Sequence, residues 1–261
     1  GLNICFGNNL FKTHHQFSGT TQERTEDLQW ALDDNKIKAV FFARGGYGSV
    51  QIVDYIDWHS FTTNPKWLIG FSDITVFHSH VHQCFNTPTL HAAMPITYPQ
   101  NTDGALKNLR DILFGENVSY KFKGHSLNKN GKVKAAIVGG NLSILYSLLG
   151  SKSQLDTDGK ILFLEDLDEH LYHVDRMMQA LKRAGMLENL SGLMIGGMNE
   201  MNDNTIPFGK TAEEIIRDVV SEYTYPVAFN ISAGHINENL PLLLGKEVSF
   251  TVATNEVLIG S

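Results

Sequence analysis

Cysteine is scarce in this sequence: Cys5 and Cys84 are the only two in 261 residues, too few for a disulfide framework. That fits a reducing compartment. Basic residues are short as well, since 21 Lys+Arg against 28 Asp+Glu leave a formal charge of -7 and no surface suited to neutralising phosphates. Nucleic acid is not an expected partner. No run approaches the roughly 18 consecutive apolar residues of a membrane helix, and the longest ones, Ala39 to Ala43 and Ile161 to Leu164, have the length of strands. No membrane partner is expected either. An initiator Met is also lacking: the chain opens at Gly1 and runs straight into Leu2-Asn3-Ile4-Cys5-Phe6, as though entering in the middle of a fold. A first strand or a leader is expected upstream, so a missing targeting segment carries little weight. What is plentiful is apolar matter, 42% of residues against 19% charged, in 29.1 kDa. An acidic, soluble protein with one large or two small cores is the expectation.

The first half alternates strand and helix signals. Thr20-Thr21-Gln22-Glu23 has the spacing of a capping box, and Leu28, Ala31 and Leu32 follow as a helical stripe. Lys38 to Ala43 reads as a strand covered on both faces, ending in Arg44-Gly45-Gly46-Tyr47-Gly48. A helix-like Val50 to Ile56, a strand at Lys66 to Gly70 and a helix at Ile74 to Val81 complete a second cycle. This is α/β patterning. Residues 116–134, rich in Gly, Asn, Lys and Ser, read as a linker between an amino-terminal domain, 1–115, and a carboxyl-terminal one, 135–261. The second unit offers a strand at Lys160 to Glu165, then a helix with Leu171, Val174, Met177, Met178 and Leu181 that closes at Gly185. A short strand at Gly192 to Ile195, a second capping box at Thr211 and Glu214, and a strand at Pro226 to Asn230 come next. A hairpin over Glu247 to Val252 and Glu256 to Ile259 ends the chain.

Several chemical motifs are missing too. Gly-x-Gly-x-x-Gly, His-Glu-x-x-His and Cys-x-x-Cys do not occur, which leaves no dinucleotide fingerprint and no metal motif. The histidine cluster His78-Ser79-His80-Val81-His82 places His78 and His82 on one helical face, and His170 and His173 form a similar pair; solvated or packed imidazoles are the simpler reading. No metal is expected. In Gly70-Phe71-Ser72-Asp73-Ile74 an apolar strand turns through Gly-x-Ser into a helix, which exposes the hydroxyl at the sheet's carboxyl edge. Ile74 stands where the usual hydrolase elbow has its second Gly, so Ser72 reads either as a nucleophile or as a helix cap. The glycine turn at 45–48 suits close backbone approach to a ligand, or simply a tight turn. A serine nucleophile needs a base and a group that orients the base. His235, on a loop after a strand, and Glu165, an acid ending an apolar strand, fill those roles, with Asp166, Asp168 and Glu169 as rivals for the second.

Taken in order, Phe42 to Ser49, Gly70 to Thr75, Gly139-Gly140-Asn141-Leu142, Phe163 to Asp166 with Asp175-Arg176-Met177, and Gly234-His235 with Leu240-Pro241-Leu242 resemble the LD-carboxypeptidase family. That family includes murein tetrapeptide carboxypeptidases and microcin C immunity proteins, serine peptidases with a Ser-His-Glu triad. The resemblance implies Ser72 as nucleophile, His235 as general base, Glu165 as its orienting carboxylate, and the backbone amides of Gly46 and Asp73 as oxyanion hole. It implies an amino-terminal α/β sandwich carrying Ser72 and a carboxyl-terminal α/β domain carrying Glu165 and His235, with the site at their junction. Arg44, Gly45 and Asn141 are candidates for holding the substrate, Arg44 on charge grounds. No cofactor is implied; a murein tetrapeptide as substrate, a cytoplasmic place and a homodimer are. An aminoacyl-nucleotide antibiotic is the alternative substrate, and a ligand-binding α/β protein without catalysis is the alternative of another class.

Overall fold

The computed structural model describes residues 2–260. In chain order the elements are α1 (Thr21–Asp33), β1 (Ala39–Phe41), α2 (His59–Thr63), β2 (Trp67–Gly70), α3 (Thr75–Phe85), β3 (Thr89–His91), α4 (Asp103–Leu113), β4 (Tyr120–Lys123) and β5 (Gly131–Asn141). There follow α5 (Leu142–Ser147), β6 (Ile161–Leu167), α6 (Leu171–Arg183), β7 (Gly192–Asn199), α7 (Ala212–Val219), β8 (Val227–Ala228), β9 (Leu242–Leu244), β10 (Glu247–Val252) and β11 (Glu256–Gly260). They build a four-stranded sheet, ordered β1-β2-β3-β9, and a seven-stranded one, ordered β4-β11-β10-β5-β6-β7-β8. The architecture is α/β, as the pattern implied.

Local chemistry accounts for most boundaries. At α1 the Thr20 hydroxyl accepts from the Glu23 amide at 3.2 Å while the Glu23 carboxylate accepts from the Thr20 amide at 2.8 Å. The same reciprocal cap opens α7 at Thr211 and Glu214. Leu28, Ala31 and Leu32 face the core from α1, and Leu171, Val174, Met177, Met178 and Leu181 do so from α6. Each large apolar side chain so buried contributes roughly 1.5–3 kcal/mol over exposure.

The structure departs from the sequence reading in four places. Strand β1 is half-buried, because among the described residues it pairs only with β2 and forms the sheet's edge. Residues Ser49–Gln51 and Val53–Tyr55 form two short 3-10 turns in place of one helix. The stretch 116–134 contains β4 and the start of β5, both in the larger sheet; β4 alternates buried Tyr120 and Phe122 with exposed Lys121 and Lys123. Finally, Leu242–Leu244 crosses back to pair antiparallel with β3, so the carboxyl half of the chain completes the amino-terminal sheet. The Gly245 amide donates to Ile137 O of β5 at 2.7 Å, tying that segment to the larger sheet as well.

Parallel pairing decides where function can sit. Strands β1, β2 and β3 run parallel, as do β5 through β8, and in such sheets the loops at the carboxyl ends form the crevice. Among the described residues no helix is long and apolar enough to cross a membrane.

Candidate active site

Strand β2 ends at Gly70, and Phe71 is still extended at φ -150. Ser72 then takes φ +63, a left-handed conformation that costs an L-residue about 1–2 kcal/mol. The reading of Ser72 as a helix cap is not what the structure has: neither the 3-10 turn Ser72–Ile74 nor α3 carries a side-chain cap. Its hydroxyl instead faces the glycine turn. A Cβ at Gly45 would lie 2.9 Å from Ser72 Cβ and 3.0 Å from Oγ, so only glycine lets the turn approach this closely.

Asp73 fastens the same turn. Its Oδ2 accepts from the Ser49 amide at 2.8 Å, and burial pushes the carboxyl above its usual range, against the amides of Ser49 and Gly48 that favour the charge. Only the Asp73 amide was expected to act here, and the side chain was missed because its partner lies 24 residues away. The amide stands in the first turn of a helix, where N–H groups have no intrahelical acceptor. Gly46 follows at φ +107, with the exposed Arg44 guanidinium beside it.

From the larger sheet comes a paired imidazole. Glu165 is fully buried near the end of β6, and its Oε2 accepts from His235 Nδ1 at 2.6 Å and from the His235 amide at 3.2 Å. A carboxylate oxygen accepts, so this pairing assigns the proton to Nδ1, the tautomer in which Nε2 carries the lone pair. Gly234, at φ +108, makes the approach feasible, since a Cβ there would lie 2.6 Å from that oxygen. Asn199 Nδ2 donates to His235 O at 2.5 Å and holds the loop from β7. Burial disfavours the imidazolium, but the hydrogen bond and charge of Glu165, with the charge of Asp166, outweigh it, so the His235 pKa is raised.

The two halves meet through Phe71, whose ring lies 4.8 Å from that of His235. They are also tied by Thr75, whose hydroxyl accepts from the Asn141 amide at 3.0 Å. Asn141 caps α5: its Oδ1 accepts from the Ile144 amide and Ser143 hydroxyl, and its Nδ2 donates to Asp166 at 2.9 Å. At 5% exposure, Asn141 is spent on this network more than on the cleft. Asp166, a rival for the orienting role, accepts from Asn141, Ser143 and Leu167. Burial first and the Glu165 charge second push its carboxyl up to about 7. Asp168 binds Asn202 and Glu169 binds His173, so neither is the partner of His235.

Among the described residues no group of three or more His, Cys, Asp or Glu is placed to hold a metal. His78 Nε2 lies 2.9 Å from Gly70 O, and His80 Nδ1 lies 2.9 Å from the Ser153 hydroxyl. The histidine cluster is packing.

Models of the LD-carboxypeptidase N-terminal and C-terminal domains match residues 1–92 and 134–250. This chain belongs to the LD-carboxypeptidase family. A probable murein peptide carboxypeptidase of Bacillus subtilis is 30% identical over 99% of this chain and 83% of its own length. Among solved structures, a muramoyltetrapeptide carboxypeptidase from Oxalobacter formigenes shares 24% identity at a TM-score of 0.86, covering 95% of this chain and 86% of that one. The microcin C7 self-immunity protein MccF, in complex with aspartyl sulfamoyl adenosine, also reaches 0.86 at 21% identity, over 98% and 85% of the two chains. These last two share the LD-carboxypeptidase fold. Membership makes this chain a carboxypeptidase of the serine type, a hydrolase.

Proposed function

We propose that this LD-carboxypeptidase removes the terminal D-Ala from murein tetrapeptides, cleaving the bond that joins it to the L-centre of a diamino acid during cell-wall recycling. The observation that carries the reading is the strained, uncapped Ser72, whose preceding residue Phe71 packs its ring 4.8 Å from the half-buried imidazole of His235, itself paired to Glu165. On it, the site forms where an amino-terminal unit, 1–115, meets a carboxyl-terminal one, 135–261. A cytoplasmic place and a homodimer belong to the same reading.

Ser72 Oγ attacks the peptide carbonyl carbon while His235 Nε2 takes the hydroxyl proton, and Glu165 stabilises the imidazolium through Nδ1. The amides of Gly46 and Asp73 receive the oxyanion, each donor contributing on the order of 10²–10³ in rate. His235 gives the proton to the departing amine of D-Ala. Water, deprotonated by the same imidazole, then attacks the ester carbonyl of the acyl-enzyme; the bond to Ser72 Oγ breaks, His235 returns the proton to Oγ, and the shortened peptide leaves. Arg44 and the open amides near Gly45 hold the terminal carboxylate.

The test is D-Ala release by Ser72→Ala with circular dichroism as a check on the fold: release is abolished, and unchanged turnover sinks the proposal. Assay of the parent enzyme against aminoacyl-sulfamoyl adenosine tests the other substrate class. Faster turnover of that compound than of the tetrapeptide reassigns the substrate and keeps the triad.

A further inference from the structure

Buried histidines surround the turn that carries Ser72. His78, on α3, has a visible task, holding Gly70 O at 2.9 Å. His91, the last residue of β3, has none that hydrogen bonding supplies. It is fully buried, and neither ring nitrogen has a partner among the described residues. Burying two such nitrogens costs stability that a leucine of similar volume would not. A group carried at that disadvantage needs an explanation of another kind.

Its neighbours offer one. The His91 ring lies 5.0 Å from Phe163 at an interplanar angle of 79°, and 5.8 Å from Phe71 at 60°. Phe71 immediately precedes Ser72, and its own ring meets His235. Phe163 precedes Glu165 by two residues on β6, so the two share a face of that strand. The His91 backbone lies opposite Gly70 of β2 on one side and Leu242 of β9 on the other. One imidazole therefore touches the turn that sets Ser72 and the strand that sets Glu165.

We propose that His91 is a positioning residue, an aromatic key wedged between Phe71 and Phe163 that fixes the spacing of Ser72 against the Glu165–His235 pair. The inference rests on reading Ser72, His235 and Glu165 as the triad. Tilted edge-to-face contacts are directional, and an aliphatic side chain of equal volume does not reproduce them. The titratable groups facing His91 are His78 from α3 and His235 from the loop after β8; burial first, and these two after it, hold it neutral. Glu165 pairs with His235, and its hydrogen bond and charge, with the charge of Asp166 behind it, favour protonation of His235 against burial. A proton drawn from Ser72 therefore rests on His235 and is not shared with its neighbour.

The deciding variant is His91→Leu, assayed with murein tetrapeptide. Its thermal midpoint is expected at or above that of the parent, because the unpartnered nitrogens are gone. The tetrapeptide KM stays within about threefold while kcat falls by on the order of 10²-fold, the scale of a small misplacement. The acid limb of kcat/KM moves to lower pH as the Glu165–His235 bond loosens, and His91→Phe, which restores a ring, recovers part of kcat. A stable His91→Leu enzyme with parental kcat and acid limb overturns the proposal. Should that variant not fold, Phe71→Leu breaks the same series of rings one step nearer His235, and a parental acid limb there overturns it equally. Ser72→Ala run alongside keeps the two readings apart. Release surviving in Ser72→Ala sinks the triad itself, whereas an inactive Ser72→Ala beside a parental His91→Leu sinks only the role of His91.

Discussion

Ser72 holds a left-handed backbone with no capping bond to offset it, and strain of that kind is what a sharp strand-to-helix turn imposes on the residue it exposes. His235 is set by opposed forces. Burial works against its charge, and Glu165 with Asp166 more than reverses that. On the proposed triad His235 acts when neutral, so kcat/KM is expected to fall on the acid side with a midpoint above the ordinary imidazole value of about 6.5. Glu165→Gln leaves only the Asp166 charge against burial, so the limb moves to lower pH and kcat drops by about 10³–10⁴. A pH-rate profile of D-Ala release checks both, and an unmoved limb contradicts the pairing. Ser72, His235 and Glu165 were legible as residue types at strand ends. The Asp73 side chain and the capping role of Asn141 were not, since their partners, Ser49 and Asp166, are joined to them by folding and not by spacing.

At the scale of elements, α3 does more than follow the elbow. Thr75 in its first turn accepts from the Asn141 amide at the end of β5, so the helix that starts behind Ser72 is fastened to the sheet that carries Glu165. Thr75→Val leaves that buried amide without an acceptor, at a cost of about 1–3 kcal/mol. Calorimetry should show the midpoint down by roughly 2–4 °C per kcal/mol, with a lower kcat for tetrapeptide. A parental midpoint and kcat contradict the tether. Both capping boxes were readable from four-residue spacings, because a cap is local chemistry. The edge position of β1 and the strand hidden in 116–134 were not, because burial and pairing depend on neighbours elsewhere in the chain.

For the whole molecule, the consequence of packing is electrostatic. Burial pushes His78, His80, His82 and His91 below the ordinary imidazole value, His78 to about 4. Unfolded, the same groups bind protons near 6.5. Between those values the unfolded chain binds more protons than the folded one, so stability is full at neutral pH and is lost as pH falls through the window. His78 alone accounts for on the order of 3 kcal/mol of that loss. His235, raised, works in the opposite direction, its contribution lost as pH rises. Urea unfolding is expected to give a lower midpoint near pH 4.5 than at pH 7, with a smaller difference in His78→Asn. Equal midpoints for the parent at the two pH values contradict the argument.

The sequence by itself determined the α/β class, the caps, the strand ends and the residue types of a serine hydrolase, because periodicity, capping and turn chemistry act over a few neighbouring residues. Only the tertiary structure decided which acid is hydrogen-bonded to His235, why Ser72 is strained, and how Leu242–Leu244 closes the amino-terminal sheet. Glu165 and His235 are 70 residues apart, and Ser72 follows a strand of the other sheet. Contacts over such separations arise from sheet pairing and close packing, which no local pattern encodes.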